Sequence, residues 1–270
     1  MNYTLPHLTQ SPNVSGYFTE MDTYVKKTAS CKGLLLFLLV SGMSSCTSYL
    51  SSEKINDISL ICAEIEITQN PTDKTENSVV VNLLDKNGSR ISSNSLTIFV
   101  NGIEEKISHK QGLYYNDESK YILSNIPIND MYNVEIKLSN GEKHFLGSVK
   151  SLAEEKIENI ECKEAGDLNN DFIIEWHGLT DIDELSVFVG MKENTEPNVT
   201  TMTNRDEKII KIKNSGSFTI QRSEYKYSKS TINLIEFNFR TTKTGEINLK
   251  LLENSKITIK TLIEKKATFE

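Results

Sequence analysis

The 270-residue chain is 37% hydrophobic and 25% charged, apolar enough for a packed core of one or two domains, which excludes a disordered or collagen-like chain. Its 30 basic residues stand against 37 acidic ones, so it lacks the concentrated basic surface that phosphate binding needs, and no nucleic-acid partner is expected. Four Cys and four His are too few and too scattered for a zinc ribbon or a disulfide-dense scaffold.

The first element in chain order is a targeting segment, residues 1–45. Lys26, Lys27 and Lys32 precede the apolar run GLLLFLLVSGM at 33–43, which ends at Ser44-Ser45-Cys46. A basic end stays on the cytoplasmic side while a stretch of about ten apolar residues inserts, and that length is too short for a membrane-spanning helix. Residues 1–20 are polar and fit no basic n-region, whereas Met21 opens a conventional one, so the start is expected at 21.

Met43-Ser44-Ser45-Cys46 resembles the lipobox of bacterial lipoproteins, in which an apolar residue and two small ones precede an invariant Cys; an ordinary secretory signal is the alternative. The resemblance implies that Cys46 is acylated and tethers the mature chain to a membrane, since several acyl chains hold where one is marginal. Thr47 occupies the position where Asp resembles an inner-membrane retention signal, so the outer membrane is expected in a cell that has one. No acidic residue follows Cys46 before Glu53, and the choice between periplasmic and surface face stays open.

Residues 46–57 are Ser-rich and read as a lipid-anchored tether, with the folded part starting near Ile58. From there apolar residues alternate with period 2 and are broken by Asn, Gly, Asp and Pro every eight to twelve residues or so, the pattern of antiparallel sheets. Strands are predicted at 60–68, 78–84, 96–100, 104–108, 121–124, 132–138 and 144–150, forming a first β-sandwich over 58–150. The charged stretch 151–164 reads as a linker. A second sandwich over 165–270 has strands at 172–176, 185–189, 209–212, 217–221, 232–240, 247–252 and 257–263, with a hairpin turning at Thr244-Gly245.

Roughly seven strands in about 100 residues is the size of an immunoglobulin-like sandwich. In the first half, Tyr121-Ile122-Leu123, then Ile126-Pro127, then Tyr132 opening a strand, resembles the corner between strands E and F of fibronectin type III domains. That resemblance implies a tyrosine corner at Tyr132, with its ring in the core and its hydroxyl bonded to backbone. Ile173-Ile174-Glu175-Trp176 resembles the strand that presents the core Trp of such sandwiches.

Candidate sites are few. Cys62 and Cys162 are the thiols left after the signal segment is removed if Cys46 is acylated, and they either pair in the oxidising envelope or remain separate. Asp167, Asn169 and Asp171 have the D-x-N-x-D spacing of calcium loops, but Phe172 stands where such loops need Gly and Gly178 where they need Glu, so a polar turn explains them better and no metal is expected. His109, His144 and His177 lack an accompanying nucleophile motif, which argues against an enzyme, and no cofactor is expected. Tyr114 with Tyr115, and Tyr225 with Tyr227 on one face of an extended segment, are the candidate stacking surfaces for a protein or glycan partner. The expected protein is therefore all-β, two tandem immunoglobulin-like sandwiches behind a lipoprotein signal peptide. It is expected to be a non-catalytic envelope binder, or alternatively an assembly accessory of an outer-membrane complex that pairs through sheet edges.

Overall fold

The computed structural model describes residues 50, 53–73, 76–106, 108–111, 117–196 and 199–269; for 105–119 and 194–199 it describes at most the backbone. The chain divides into two units, Met1–Ser45 and Cys46–Glu270, and the described residues belong to the second. They are all-β, and among them no α-helix occurs. The first half contains β1 (Cys62–Thr68), β2 (Ser78–Leu84), β3 (Thr97–Val100), β4 (Ile103–Lys106), β5 (Ser108–Gln111), β6 (Asp117–Ser124), β7 (Met131–Lys137) and β8 (Lys143–Lys150). Next come β9 (Ile160–Glu161), β10 (Ala165–Gly166), β11 (Phe172–Trp176), β12 (Glu184–Glu196), β13 (Val199–Asn204) and β14 (Lys208–Lys211). The chain ends with β15 (Gly216–Ile220), β16 (Lys226–Tyr227), β17 (Ser230–Thr244), β18 (Glu246–Ile247) and β19 (Lys256–Phe269).

Alternation builds each core. On β1, Ala63, Ile65 and Ile67 point inward while Glu64 and Glu66 face out, and on β11 Phe172, Ile174 and Trp176 point inward while Ile173 and Glu175 face out. The first core gathers those β1 residues with Val79, Val81, Ile98, Tyr121, Tyr132, Val134 and Leu146. The second gathers Phe172, Trp176, Leu185, Phe237, Phe239 and Phe269. Each such side chain stabilises the fold by roughly 1.5–3 kcal/mol on burial.

One sheet runs through both sandwiches, in the order β13-β12-β17-β19-β1-β2-β6-β5. It faces the five-stranded sheet β18-β8-β7-β3-β4 in the first sandwich and the three-stranded sheet β15-β11-β9 in the second. The join is β19, which is antiparallel to β17 from Thr258 to Thr268 and also parallel to β1 from Lys256 to Lys260. A strand rises about 3.3 Å per residue, so the β17–β19 ribbon is long enough to cross both cores. In consequence Leu251, Ile257 and Ile259, which lie within the expected second domain, pack in the first core.

Three local expectations are corrected. Leu50 and Ile55 are buried in the first core, and the Ile55 and Ser139 backbones are joined by an Ile55 N–H donation to Ser139 Oγ and a Ser139 N–H donation to Ile55 O, both 2.9 Å. The folded body therefore reaches into the expected tether 46–57. Thr244-Gly245 makes no hairpin, because after β17 the chain crosses to the facing sheet, where β18 pairs with β8. Gly245 is needed at that crossing: a Cβ there would lie 2.1 Å from Ser148 O. Tyr132 is fully buried, as the tyrosine-corner resemblance implies, but its hydroxyl has no hydrogen-bond partner, and burial pushes its pKa up to about 12. The buried Tyr121 hydroxyl does donate to backbone, at Ser93 O, 3.2 Å away.

The expected linker is fixed rather than loose. Leu152 packs in the first core and exchanges two hydrogen bonds with the buried Gln69 side chain. Glu155, 3% exposed, accepts from the backbone N–H groups of Thr180 and Asp181, at 2.8 and 2.9 Å. Asp181 in turn accepts from Ala153 N–H and pairs with Lys243 of β17. At the same level the inward faces of the ribbon change from apolar to Thr241 opposite Thr261, both buried. A polar belt thus separates the two cores.

Candidate functional site

The ribbon gives the body two ends. β1 begins at Cys62 and β19 begins beside it at Lys256, so the end that holds the first described residues carries residues 53–61 and the 248–255 loop. The opposite end carries the start of β17, the end of β19, the paired ends of β12 and β13, and the connection from β16 to β17. The rows Thr244–Thr258 and Leu234–Thr268 alone stand about 33 Å apart.

The expected Tyr225/Tyr227 pair lies at this far end, and the structure separates the two rings. Arg222–Glu224 forms a 3-10 turn closed by a capping box between Gln221 and Glu224, and Tyr225, at its C-cap, takes helical backbone angles (φ -74°, ψ -17°). That breaks the alternation of an extended segment. Tyr225 turns inward, 2% exposed, stacks edge-on to Phe269 with ring centroids 5.1 Å apart, and donates its hydroxyl to Asn170 O at 2.8 Å. Burial first, then the nearby Asp171 charge, raises its pKa. Tyr225 is therefore a core residue and not part of a stacking surface.

Tyr227 is 71% exposed. The Arg205 guanidinium lies 5.8 Å from its ring centroid and donates through Nη2 to Glu224 O, which fixes the cation beside the ring. Next to it, Lys208 of β14 stands 4.9 Å over the ring of Phe218. Sequence reading singled out Tyr227 but not Arg205, which is 22 positions away and carries no local signal. Tyr114 and Tyr115 lie outside the described residues, as does Cys46.

A second feature is an open hollow of about 700 Å³ on the second sandwich, lined by Cys162, Gly166, Asp171, Phe172 and Ile173 among others. It exists because β9 pairs with β11 only at Glu175 and Trp176, so the start of β11 has no neighbour on that side. Cys162 packs against the second core, Cys62 is buried on β1, and both are free thiols, the second of the two alternatives. The reason is architectural: the two residues belong to different sandwiches. Burial, ahead of the opposing Lys265 charge, raises the Cys162 pKa, so this thiol is not activated.

Of the D-x-N-x-D residues, Asp167 and Asp171 line the hollow. Asp167 accepts from Asn169 N–H at 2.9 Å and from the side-chain amides of Asn169 and Asn170, while Asp171 accepts from Arg222 N–H at 2.8 Å. The backbone bond from Asn169, followed by the Asn170 amide, lowers the Asp167 pKa. This is an Asx turn, and among the described residues no group of three His, Cys, Asp or Glu could hold a metal. The half-buried His144 approaches Glu142 at 3.5 Å, and the exposed His177 approaches Glu161 at 4.0 Å. Trp176 is the core Trp its strand implied, with Nε1 donating to Lys213 O at 2.9 Å and its ring edge-on to Phe239.

The third feature is an edge. β13 ends the long sheet, and its sequence VTTMTN has no charge and no Pro, the usual guards against strand addition. Arg205 N–H donates to Val189 O of β12, so by alternation Thr203 faces β12 while Met202 and Asn204 turn their backbone groups outward. Met202 is 57% exposed. By contrast, β14 further along the same edge is bounded by Lys208 and Lys211.

No family model and no curated protein matches the chain. Among solved structures it is similar to a cytokine receptor complex, at 10% identity over 76% of this chain and 96% of that one, with a TM-score of 0.26. It is also similar to E. coli alpha-2-macroglobulin in its native conformation, at 10% identity over 82% of this chain and 15% of that one, TM-score 0.24. A third is InvD of Yersinia pseudotuberculosis, at 11% identity over 75% and 68%, TM-score 0.20. Likenesses at these scores carry no argument about function.

Proposed function

We propose that the mature chain is a non-catalytic lipoprotein of the bacterial cell envelope, held through Cys46 in what we read as the outer membrane, that binds a protein or glycan partner at the end of the body remote from Cys46. The observation that carries this reading is Tyr227, exposed yet held in place by Arg205, because an ordered aromatic with a fixed cation beside it is the usual anchor of a stacking or interface contact. A Cys46→Ala chain without its signal segment, tested against defined envelope polysaccharides and purified envelope proteins, should retain at least one ligand. Tyr227→Ala should weaken that ligand about tenfold while leaving the unfolding midpoint unchanged. Equal binding by both chains would reject this end as the site.

The second reading is an assembly accessory that accepts a partner strand at β13, favoured by that strand's uncharged edge. Met202→Lys should then abolish capture of the partner, and Tyr227→Ala should not.

A further inference from the structure

We infer that the end of the body nearest Cys46 lies against the bilayer and inserts Leu249 into it. This rests on the lipoprotein reading above and adds an orientation and a lipid contact to it. The chain between Cys46 and the core is short. Leu50 is buried in the first core, so four peptide steps separate it from Cys46, and a fully extended chain covers only about 14 Å over that distance. An acylated Cys46 sits at the headgroup layer, so the body cannot stand off from the membrane on a flexible stalk.

That end also exposes apolar side chains. Leu249, at the tip of the 248–255 loop, is 94% exposed, the highest value of any large apolar side chain among the described residues. The loop is no loose tip. Asn248 donates through Nδ2 to Phe145 O at 2.7 Å and through its N–H to Leu146 O at 2.8 Å, and Leu252 N–H donates to Ile61 O at 2.9 Å. Those bonds tie it to Phe145 and to the segment carrying Leu60, themselves 40% and 41% exposed. The charges of the loop and of the segments it is tied to nearly cancel, with Lys54, Lys143 and Lys250 against Glu53, Asp57, Glu142 and Glu253, a formal net of −1. That near-neutrality suits a bilayer interface better than an acidic or basic protein partner, and Lys250 follows the inserted leucine directly in the chain, as a partner for lipid phosphate.

The test uses the full acylated protein in vesicles of phosphatidylethanolamine and phosphatidylglycerol, with Cys162→Ser to leave a single accessible thiol position. An environment-sensitive fluorophore is placed at Glu253→Cys on the loop or, in a parallel sample, at Lys229→Cys at the far end. Lipids brominated near the top of the acyl chain should quench the loop label at least threefold more than the far one, and adding Leu249→Asp should halve the loop quenching. Equal, weak quenching at both positions, with the acyl mass still present, would overturn the docking and leave the lipoprotein reading standing. An unmodified Cys46 would remove both.

Discussion

The two sandwiches share a ribbon but are filled and covered differently. The first core is mainly Ile, Val and Leu with two tyrosines, lies between the long sheet and a five-stranded one, and includes Leu50 and Ile55 from the segment before β1. The second relies on Phe172, Trp176, Tyr225, Phe237, Phe239 and Phe269 against a facing sheet of only three strands, which leaves a hollow beside β11. Large rings compensate for a short cover sheet. The difference teaches that a sandwich covered by five strands closes over its core, whereas one covered by three leaves an open hollow at its surface.

The comparison can be broken first at the aromatic core. Phe237→Ala removes a ring stacked at 5.9 Å on Phe172 and should destabilise the protein by about 3–5 kcal/mol. Because β17 and β19 serve both cores, denaturant unfolding followed by Trp176 fluorescence and by far-ultraviolet circular dichroism should still give coincident midpoints; separated midpoints would mean that the sandwiches fold independently.

The belt between the cores should respond to acid. Burial acts against the Asp181 charge, but the Lys243 ammonium and the Ala153 N–H outweigh it and hold its carboxyl below the usual range. A carboxylate with a lower pKa folded than unfolded contributes stability that is complete above the unfolded value, about 3.9, and fades as pH falls through the folded one. Asp181→Asn should therefore lower stability by about 1–3 kcal/mol at pH 7 and flatten the acid limb of the stability profile below pH 4. An unchanged acid limb would count against the belt.

The smallest effect is expected in the first core. Tyr132→Phe deletes a buried hydroxyl without a partner and should stabilise by about 1 kcal/mol in urea titration. A loss of stability would show that the corner hydrogen bond forms after all.

Much of this architecture is legible in the residues. The alternation in SVVVNLL and FIIEW gives β2 and β11 with their observed bounds, because one face of each is buried and the other is not. The features the sequence hides have identifiable causes. Leu50 and Ile55 are isolated apolar residues in a polar run, so no period marks them. β17 extends through Thr241-Thr242-Lys243-Thr244, polar residues that read as a turn until the parallel contact of β1 with β19 explains why the ribbon must be that long. At the candidate site Tyr227 could be picked out from type alone, whereas the burial of Tyr225 depends on a helical C-cap that pattern reading treats as extended.

The central claim is the anchor, since it fixes which end of the body faces the membrane. Intact mass and membrane fractionation of the wild type against Cys46→Ala test it most directly. The account predicts a wild type heavier by about three acyl chains and sedimenting with membranes, and a soluble, unmodified variant. Two soluble proteins with an unmodified Cys46 would contradict it.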